Sequence, residues 1–130
     1  MHVNLALFEK AEILEEERKP KHLIVAISSD RGLCGSVHSN VARYIRSLMA
    51  ERGQDASSTM FVCVGDKVRT ILQRQFKSNI LMHFTEIGRK PPLFTEANFV
   101  AEQILSSGFE YDSAEIVFNR FRYVILVCVV

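Results

Sequence analysis

The sequence predicts a three-layer α/β domain built on a mostly parallel sheet and preceded by a short N-terminal helix. Apolar runs of strand length, such as His22–Ile27 and Met60–Val64, lack polar alternation, which is typical of strands covered on both faces. Segments with apolar residues at helical spacing follow these runs. The resulting order β-α-β-α-β-α-β implies right-handed crossovers and helices on both faces of the sheet.

Composition limits the function classes. The chain has 130 residues, of which 48% are hydrophobic, and this length and composition favour one domain with a sizeable core. A net charge of +1 gives no basis for binding nucleic acid or a membrane surface. The apolar run Tyr123–Val130 is shorter than the ~20 residues needed to cross a bilayer, so no membrane insertion is predicted.

The three cysteines are Cys34, Cys63 and Cys128. An odd number without a Cys-x-x-Cys spacing argues against a disulfide framework and favours a reducing compartment. Cys63 lies inside the apolar run Met60–Val64 and is predicted to be a small buried hydrophobe.

The first segment, Asn4–Glu17, has helical spacing of its apolar residues Leu7, Ala11 and Leu14. A charge run then meets Pro20, which is predicted to end the helix. Residues 1–20 are therefore interpreted as a helix and charged linker, and residues 21–130 as the α/β domain. The start lacks the basic and apolar regions of a signal peptide, and it is not Arg-rich like a transit peptide.

Three helices and three further strands are predicted after the strand at Lys21–Ser28. The helices cover Ser36–Glu51, with Gly53 as a C-cap, then Lys67–Phe76 after the turn at Gly65-Asp66, and a segment from the N-cap Thr95 to Ser106. The strands are Met60–Val64, a segment within Ile80–Ile87, and Ala114–Arg122 with a continuation toward Val130. The acidic residues before and at the start of the last strand, Glu110, Asp112 and Glu115, are predicted to be solvated.

The stretch after the first strand organises the chain, and its members are Ser28, Ser29, Asp30, Arg31, Gly32, Leu33, Cys34, Gly35 and His38. Gly32 is free to take a positive φ in the turn, and Gly35 permits close passage of the backbone. Such a turn can cradle a phosphate at a helix N-terminus. It matches neither the dinucleotide fingerprint nor the phosphate-binding loop, which favours a tight structural turn without a cofactor. Asp30 and Arg31 either pair locally or face a partner.

No catalytic or metal site is predicted. Cys34 and His38 are four residues apart, but two ligands do not complete a zinc site, and the other histidines lack ligand spacing. A set of Ser29, His38 and Asp30 has no nucleophile elbow around it.

Four segments together carry a family resemblance: Ser28–Gly35 with His38, Val64–Arg69, Glu86–Pro92 and Phe118–Arg122. With these segments in this order and spacing, the chain resembles the gamma subunit of F-type ATP synthase. The resemblance extends from about Leu5 to Arg122 and is strongest to the mitochondrial type. The resemblance implies a Rossmann-like globular domain. It covers little of the two terminal helices that form the family's rotating shaft.

The resemblance implies a non-catalytic rotor component that couples proton flow to ATP synthesis by rotation. The implied partners are the alpha-beta catalytic head, the small central-stalk subunits delta and epsilon, and the membrane c-ring. The implied location is the matrix side of the mitochondrial inner membrane. Alternatives are a free-standing nucleotide- or small-molecule-binding domain and a truncated product without a function of its own.

Basic residues near two of these segments are candidate partner contacts: Arg89, Lys90, Arg120 and Arg122. Arg120 and Arg122 alternate with Phe121 and so are predicted to share one face of a strand. The tail Val124–Val130 is apolar and uncharged, whereas the corresponding family stretch soon becomes polar. An unpaired strand of this kind is an aggregation hazard.

Overall fold

The computed structural model describes residues 19–31, 37–88, 90–120 and 123–129, without the side chains of Val37, Arg120 and Tyr123–Val129. Five strands form one sheet in these ranges: β1 (His22–Ile27), β2 (Thr59–Val64), β3 (Ile80–Phe84), β4 (Ser113–Arg120) and β5 (Tyr123–Val129). Their order is β3-β2-β1-β4-β5, with every pair parallel except β4 and β5. The prediction of a mostly parallel sheet is confirmed.

Three helices connect the strands: α1 (Val37–Arg52), α2 (Asp66–Phe76) and α3 (Phe94–Ser106). Gly53 follows α1 with a φ of 53°, as predicted for a C-cap glycine. The predicted N-cap at Thr95 is wrong, because α3 begins at Phe94. The Glu96 carboxylate accepts a hydrogen bond from the Leu93 N–H at 3.3 Å. A side chain in the first turn of α3 thus provides an acceptor for an N–H group at the N-terminus of the helix.

The sheet lies between two helical layers. On one face, Ile24, Phe61 and Val117 are fully buried against residues of α1 and α2. On the other face, α3 lies over Val25 and Ile116, and Val100 is its buried residue. The three-layer architecture is thus confirmed. No helix in the described ranges is long and apolar enough to span a membrane. The predicted helix at Asn4–Glu17 lies outside the described residues.

The apolar C-terminal segment is a hairpin arm and not the extension of one strand. β5 runs antiparallel to β4, from the pair Arg120 and Tyr123 to the pair Ala114 and Val129. The prediction of a single strand running toward Val130 is therefore wrong. The two residues between the strands, Phe121 and Arg122, do not carry the Asn-Gly or Gly-x signature of tight hairpins, so the sequence offered no sign of the reversal.

Glu115 is also placed differently from its prediction. It is buried within β4, and its carboxylate accepts a hydrogen bond from the Arg52 guanidinium at the end of α1 at 2.6 Å. Strand alternation puts Glu115 on the same face as Val117, beneath α1. The long arginine side chain neutralises the carboxylate there, and a charge in this position is retained only with such a partner.

Removal of one member of this pair is expected to be costly. We expect Glu115→Ala to lower the free energy of unfolding by about 2 kcal/mol, because the Arg52 guanidinium then remains largely buried without its counter-ion. The double variant Arg52→Met/Glu115→Leu should recover most of that loss. Urea denaturation of the three proteins checks this, and equal losses in the single and double variants would contradict it.

Cys63 is fully buried in β2, as predicted. Burial raises the pKa of its thiol to about 12, and the thiolate is the reactive form. In a Cys34→Ala/Cys128→Ala background, we expect Cys63 to resist iodoacetamide at pH 8 in the folded protein. It should react readily once urea unfolds the chain. Mass spectrometry measures the rate of alkylation of Cys63 in both states. Equal rates in the folded and the unfolded protein would contradict the burial of this side chain.

Candidate functional site

The family-like turn lies at the carboxyl ends of the parallel strands. Ser28–Arg31 follow β1, and His38 lies in the first turn of α1. Gly32, Leu33, Cys34 and Gly35 lie outside the described residues. In open α/β sheets this edge is where ligands bind, so its hydrogen bonds decide whether a site is available.

Ser28 joins the ends of β1 and β2. Its N–H donates to the Val64 carbonyl at 2.8 Å, and its Oγ accepts from the Val68 N–H at 3.3 Å. Gly65 lies against it with a φ of 110°. A Cβ at Gly65 would come within 2.7 Å of the Ser28 Oγ and 2.8 Å of the Ser28 carbonyl carbon. The contact between the two turns therefore requires glycine at this position.

Asp30 joins the ends of three strands. Its Oδ1 accepts from the Asp66 N–H at 2.8 Å, and its Oδ2 accepts from the Glu86 N–H at 2.6 Å. Asp66 follows β2, and Glu86 follows β3 with a φ of 64°, a conformation uncommon for a residue with a side chain. One carboxylate thus holds the loops after β2 and β3 against the loop after β1, and these contacts are all within the chain.

The N-terminus of α2 is fully occupied. The four N–H groups at the start of a helix lack intrahelical partners. Here they donate to protein acceptors: Gly65 to the Phe84 carbonyl at 2.9 Å, Asp66 to Asp30, Lys67 to the Ser29 carbonyl at 3.4 Å, and Val68 to Ser28. Because the chain itself satisfies these donors, no N–H group at the start of α2 is left for a phosphate. Residues 32–36, where the glycine turn was predicted to be able to cradle a phosphate before α1, lie outside the described residues.

Carboxylates of the chain itself lie at the start of α2. Asp30 places a carboxylate at the positive end of the α2 dipole, which stabilises the helix. The Arg69 guanidinium, which donates to the Asp66 carboxylate at 2.7 Å, holds the pKa of that carboxyl below its usual range. Two carboxylates therefore lie beside the helix start, and the Arg69 guanidinium pairs with the one on Asp66.

His38 closes the turn from the other side. Its Nε2 donates to the Arg31 carbonyl at 2.9 Å, and the ring is only 6% exposed. The Ser29 Oγ donates to the same carbonyl at 3.2 Å. His38 therefore fastens the turn to α1. Among the described residues, no group of three or more histidine, cysteine, aspartate or glutamate side chains is placed to hold a metal ion.

The basic candidate contacts are only partly described. Lys90 is exposed on the loop before α3. Arg89 and Arg122 lie outside the described residues, and the Arg120 side chain is not described. The predicted shared strand face of Arg120 and Arg122 therefore lies outside the described residues.

A second surface, around α3, was missed by sequence reasoning. Phe94, Leu105 and Leu93 are 84%, 74% and 64% exposed. Leu93 lines a groove of about 370 Å³ between α3 and the sheet. The other lining residues are mainly apolar and include Val25, Ile27, Val64, Val100, Ile104 and Ile116. Phe94 and Leu105 follow the lining residues Leu93 and Ile104 in the sequence. One sign in the sequence could have indicated this surface. The apolar residues Leu93 and Phe94 directly follow two prolines, and neither was assigned to the apolar face of a predicted element.

Similar proteins identify the family. A family model described as ATP synthase matches residues 2–128. The chain is 46% identical over 122 residues to the mitochondrial ATP synthase F(1) complex subunit gamma of Rattus norvegicus. It is 49% identical over 119 residues to the mitochondrial gamma subunit of Drosophila melanogaster. The chain belongs to the ATP synthase gamma family. The alignments cover 94% and 91% of this chain but only 45% and 39% of those relatives.

Solved structures agree on the fold. A chain of the Tetrahymena thermophila mitochondrial ATP synthase central stalk and c-ring superposes with a TM-score of 0.70 at 24% identity, covering 95% of this chain and 56% of that one. A chain of the Euglena gracilis mitochondrial ATP synthase rotor gives a TM-score of 0.69 at 22% identity, with coverages of 92% and 41%. At these identities the likeness concerns the fold alone.

Proposed function

We propose that this chain is a non-catalytic component of the central stalk of an F-type ATP synthase, in which rotation couples proton flow to ATP synthesis. The observation that carries the proposal is the family match over residues 2–128, with 46% identity to the rat mitochondrial gamma subunit. The proposed location is the matrix side of the mitochondrial inner membrane. The proposed partners are the alpha-beta head, the delta and epsilon subunits and the c-ring.

The geometry of the carboxyl edge supports a role without nucleotide chemistry. Ser28, Ser29 and Asp30 use their acceptors on the N–H groups of α2 and of the loop after β3. This arrangement makes the described part of the turn, Ser28–Arg31, a rigid joint between strands, which suits a part that must transmit force. Calorimetric titration with ATP, ADP and NAD should give no binding heat, and a saturable heat would favour the alternative of a free nucleotide-binding domain.

The surface around α3 is the proposed place of contact with another stalk subunit. Exposed aromatic and leucine side chains beside an apolar groove are typical of protein interfaces. Phe94 is the most exposed of the large hydrophobic residues in the described part of the chain. Lys90 lies close to it in the sequence and is exposed. Together with Arg89, Arg120 and Arg122, it stays a candidate basic contact.

Assembly is the direct test. The tagged full chain, directed to mitochondria by a cleavable leader, should comigrate with ATP synthase on a native gel. Phe94→Asp should reduce comigration at least tenfold, because it places a charge in the proposed contact. Gln75→Asp, on the exposed surface of α2 in the opposite layer, is the matched control and should comigrate like the unmodified chain.

The outcomes separate the possibilities. A folded, imported chain that never comigrates would overturn the stalk proposal and leave a truncated product without its own function as the better explanation. Equal comigration of both variants would retain the stalk role but remove the α3 surface as the contact.

A further inference from the structure

The charges of the chain are divided between the two helical layers. Residues 37–79, which carry α1 and α2, contain seven lysine and arginine residues and three aspartate and glutamate residues. Residues 94–112, which carry α3 on the opposite side of the sheet, contain four acidic residues and no lysine or arginine. The net charge of +1 therefore results from a basic layer and an acidic segment that nearly cancel.

Internal ion pairs use only part of the basic charge. The Arg52 guanidinium pairs with Glu115 at 2.6 Å, and the Arg69 guanidinium pairs with Asp66 at 2.7 Å. Four other cations of the α1–α2 layer are exposed, and within the described ranges no ion pair involves them. These four, which we call the basic face, are Arg43, Arg46, Arg74 and Lys77.

Helix geometry turns the basic face away from the sheet. Arg43 follows the buried Val41 by two residues, and Arg74 follows the buried Leu72 by two. Two residues correspond to about 200° around a helix, so both arginines lie opposite core side chains. Because α1 and α2 pack on the same side of the sheet, their cations share one broad surface. Glu51 is the exposed carboxylate of α1, which leaves the positive charge in excess.

The composition of this surface indicates which partner it fits. The large hydrophobic side chains that are exposed in the described ranges all lie outside residues 37–79. A stable protein interface is centred on buried aromatic or apolar side chains, and the basic face offers none. Four or more lysine and arginine residues on the polar side of amphipathic helices are typical of binding to anionic lipid headgroups.

We propose that the basic face binds anionic lipid headgroups at the surface of a membrane, without insertion of any segment. The attraction is between the four cations and the charge of the headgroups. The acidic residues of α3, Glu96 and Glu102, are repelled by the same charge, so the chain binds with α1 and α2 toward the lipid and α3 toward water. This inference does not rest on the proposed stalk function, because it concerns the chain by itself.

Vesicle flotation of the purified full chain tests the proposal. Vesicles of equal parts phosphatidylglycerol and phosphatidylcholine should carry at least ten times more protein up a density gradient than vesicles of phosphatidylcholine alone. Aggregated protein sinks and does not contribute. Raising the salt from about 0.05 M to about 0.5 M should remove most of the binding, because the charges are then screened. Equal flotation with both vesicle types overturns the proposal, as does binding to a short DNA duplex without binding to either vesicle.

A pair of charge-matched variants locates the contact. Each cation near an anionic membrane contributes about fivefold to binding, so Arg43→Gln/Arg74→Gln should lower the vesicle partition coefficient at least tenfold. Lys19→Gln/Lys21→Gln removes the same charge before and at the start of the domain, outside the basic face, and should change the coefficient less than threefold. Equal losses in the two variants would show that total charge and not the basic face governs binding, which overturns the proposal.

Energy transfer to labelled lipid headgroups gives the orientation. In a Cys34→Ala/Cys128→Ala background, a fluorophore is attached to Ser47→Cys on the exposed side of α1 or to Asn98→Cys on the exposed side of α3. We expect the transfer efficiency from position 47 to be at least twice that from position 98. Equal efficiencies, or a higher efficiency from position 98, would place another surface against the lipid and overturn the proposal.

Discussion

Replacing Gly65 with alanine is expected to lower the free energy of unfolding by about 3 kcal/mol or more. A φ of 110° is strained for any residue with a Cβ, at a cost of about 1–3 kcal/mol. The new Cβ would also lie 2.7 Å from the Ser28 Oγ and 2.8 Å from the Ser28 carbonyl carbon. Because the second contact is with backbone, a side-chain rotation does not relieve it, and overpacking adds about 1–3 kcal/mol.

Gly108→Ala is the matched control for this prediction. Gly108 also has a positive φ, 73°, but no atom lies within 4 Å of the Cβ position. It should therefore lose only the cost of the strained backbone, about 1 kcal/mol. Urea denaturation measures both losses, with one slope of the free energy of unfolding against urea concentration used for both variants. Equal losses at the two positions would show that the approach of Gly65 to Ser28 contributes nothing.

Strands and helices of the parallel part were predictable because their periodicities are strong. The run His22–Ile27 is β1 itself, and the helix predicted at Lys67–Phe76 begins one residue earlier, at Asp66. Such segments bury one face or both, and the spacing of their apolar residues therefore follows the period of the helix or strand. The end of α1 was likewise marked by Gly53, whose positive φ is a backbone requirement.

Features that depend on residues far apart in the chain were not predictable. Glu115 is buried because Arg52, 63 positions earlier, reaches it, and no local pattern distinguishes it from the solvated Glu110. The reversal before β5 was hidden because an apolar run has the same composition whether it extends a strand or pairs back on it. Both errors concern β4. The burial of Glu115 depends on its pairing with Arg52, and the chain reversal depends on the pairing of β4 with β5.

In the candidate site, too, local features were predictable and contacts between distant residues were not. Sequence reasoning identified the stretch Ser28–Gly35 with His38 and favoured a tight turn over a phosphate cradle, and of that stretch the structure describes Ser28–Arg31 and His38. It left open whether Asp30 pairs locally or faces a partner, and the carboxylate is bonded to the chain's own N–H groups. The donors belong to Asp66 and Glu86, which follow two other strands. Only the sheet order, with β1, β2 and β3 adjacent, brings them to one carboxylate.

Replacing Asp30 with alanine is expected to lower the free energy of unfolding by about 3 kcal/mol. Hydrogen bonds to a charged acceptor contribute about 1.5–3 kcal/mol each, and the bond from Glu86 is discounted because it is solvent-exposed. Alanine leaves the N–H groups of Asp66 and Glu86 without their acceptor and removes the negative charge at the start of α2. Urea denaturation measures the loss, and Glu51→Ala, an exposed carboxylate on α1, should change stability by less than about 0.5 kcal/mol.

Asp30→Asn removes the negative charge and keeps one of the two acceptor oxygens. The amide offers one oxygen for two N–H donors, so one of them faces an NH₂ group. We expect Asp30→Asn to lower the free energy of unfolding by at least half as much as Asp30→Ala does. Amide exchange should accelerate at both Asp66 and Glu86 in the alanine variant, because both N–H groups lose their acceptor. Stability of Asp30→Ala within about 0.5 kcal/mol of the unmodified protein would show that the turn holds without this carboxylate. The rigid joint proposed for the stalk would then have to rest on Ser28 and Gly65 alone.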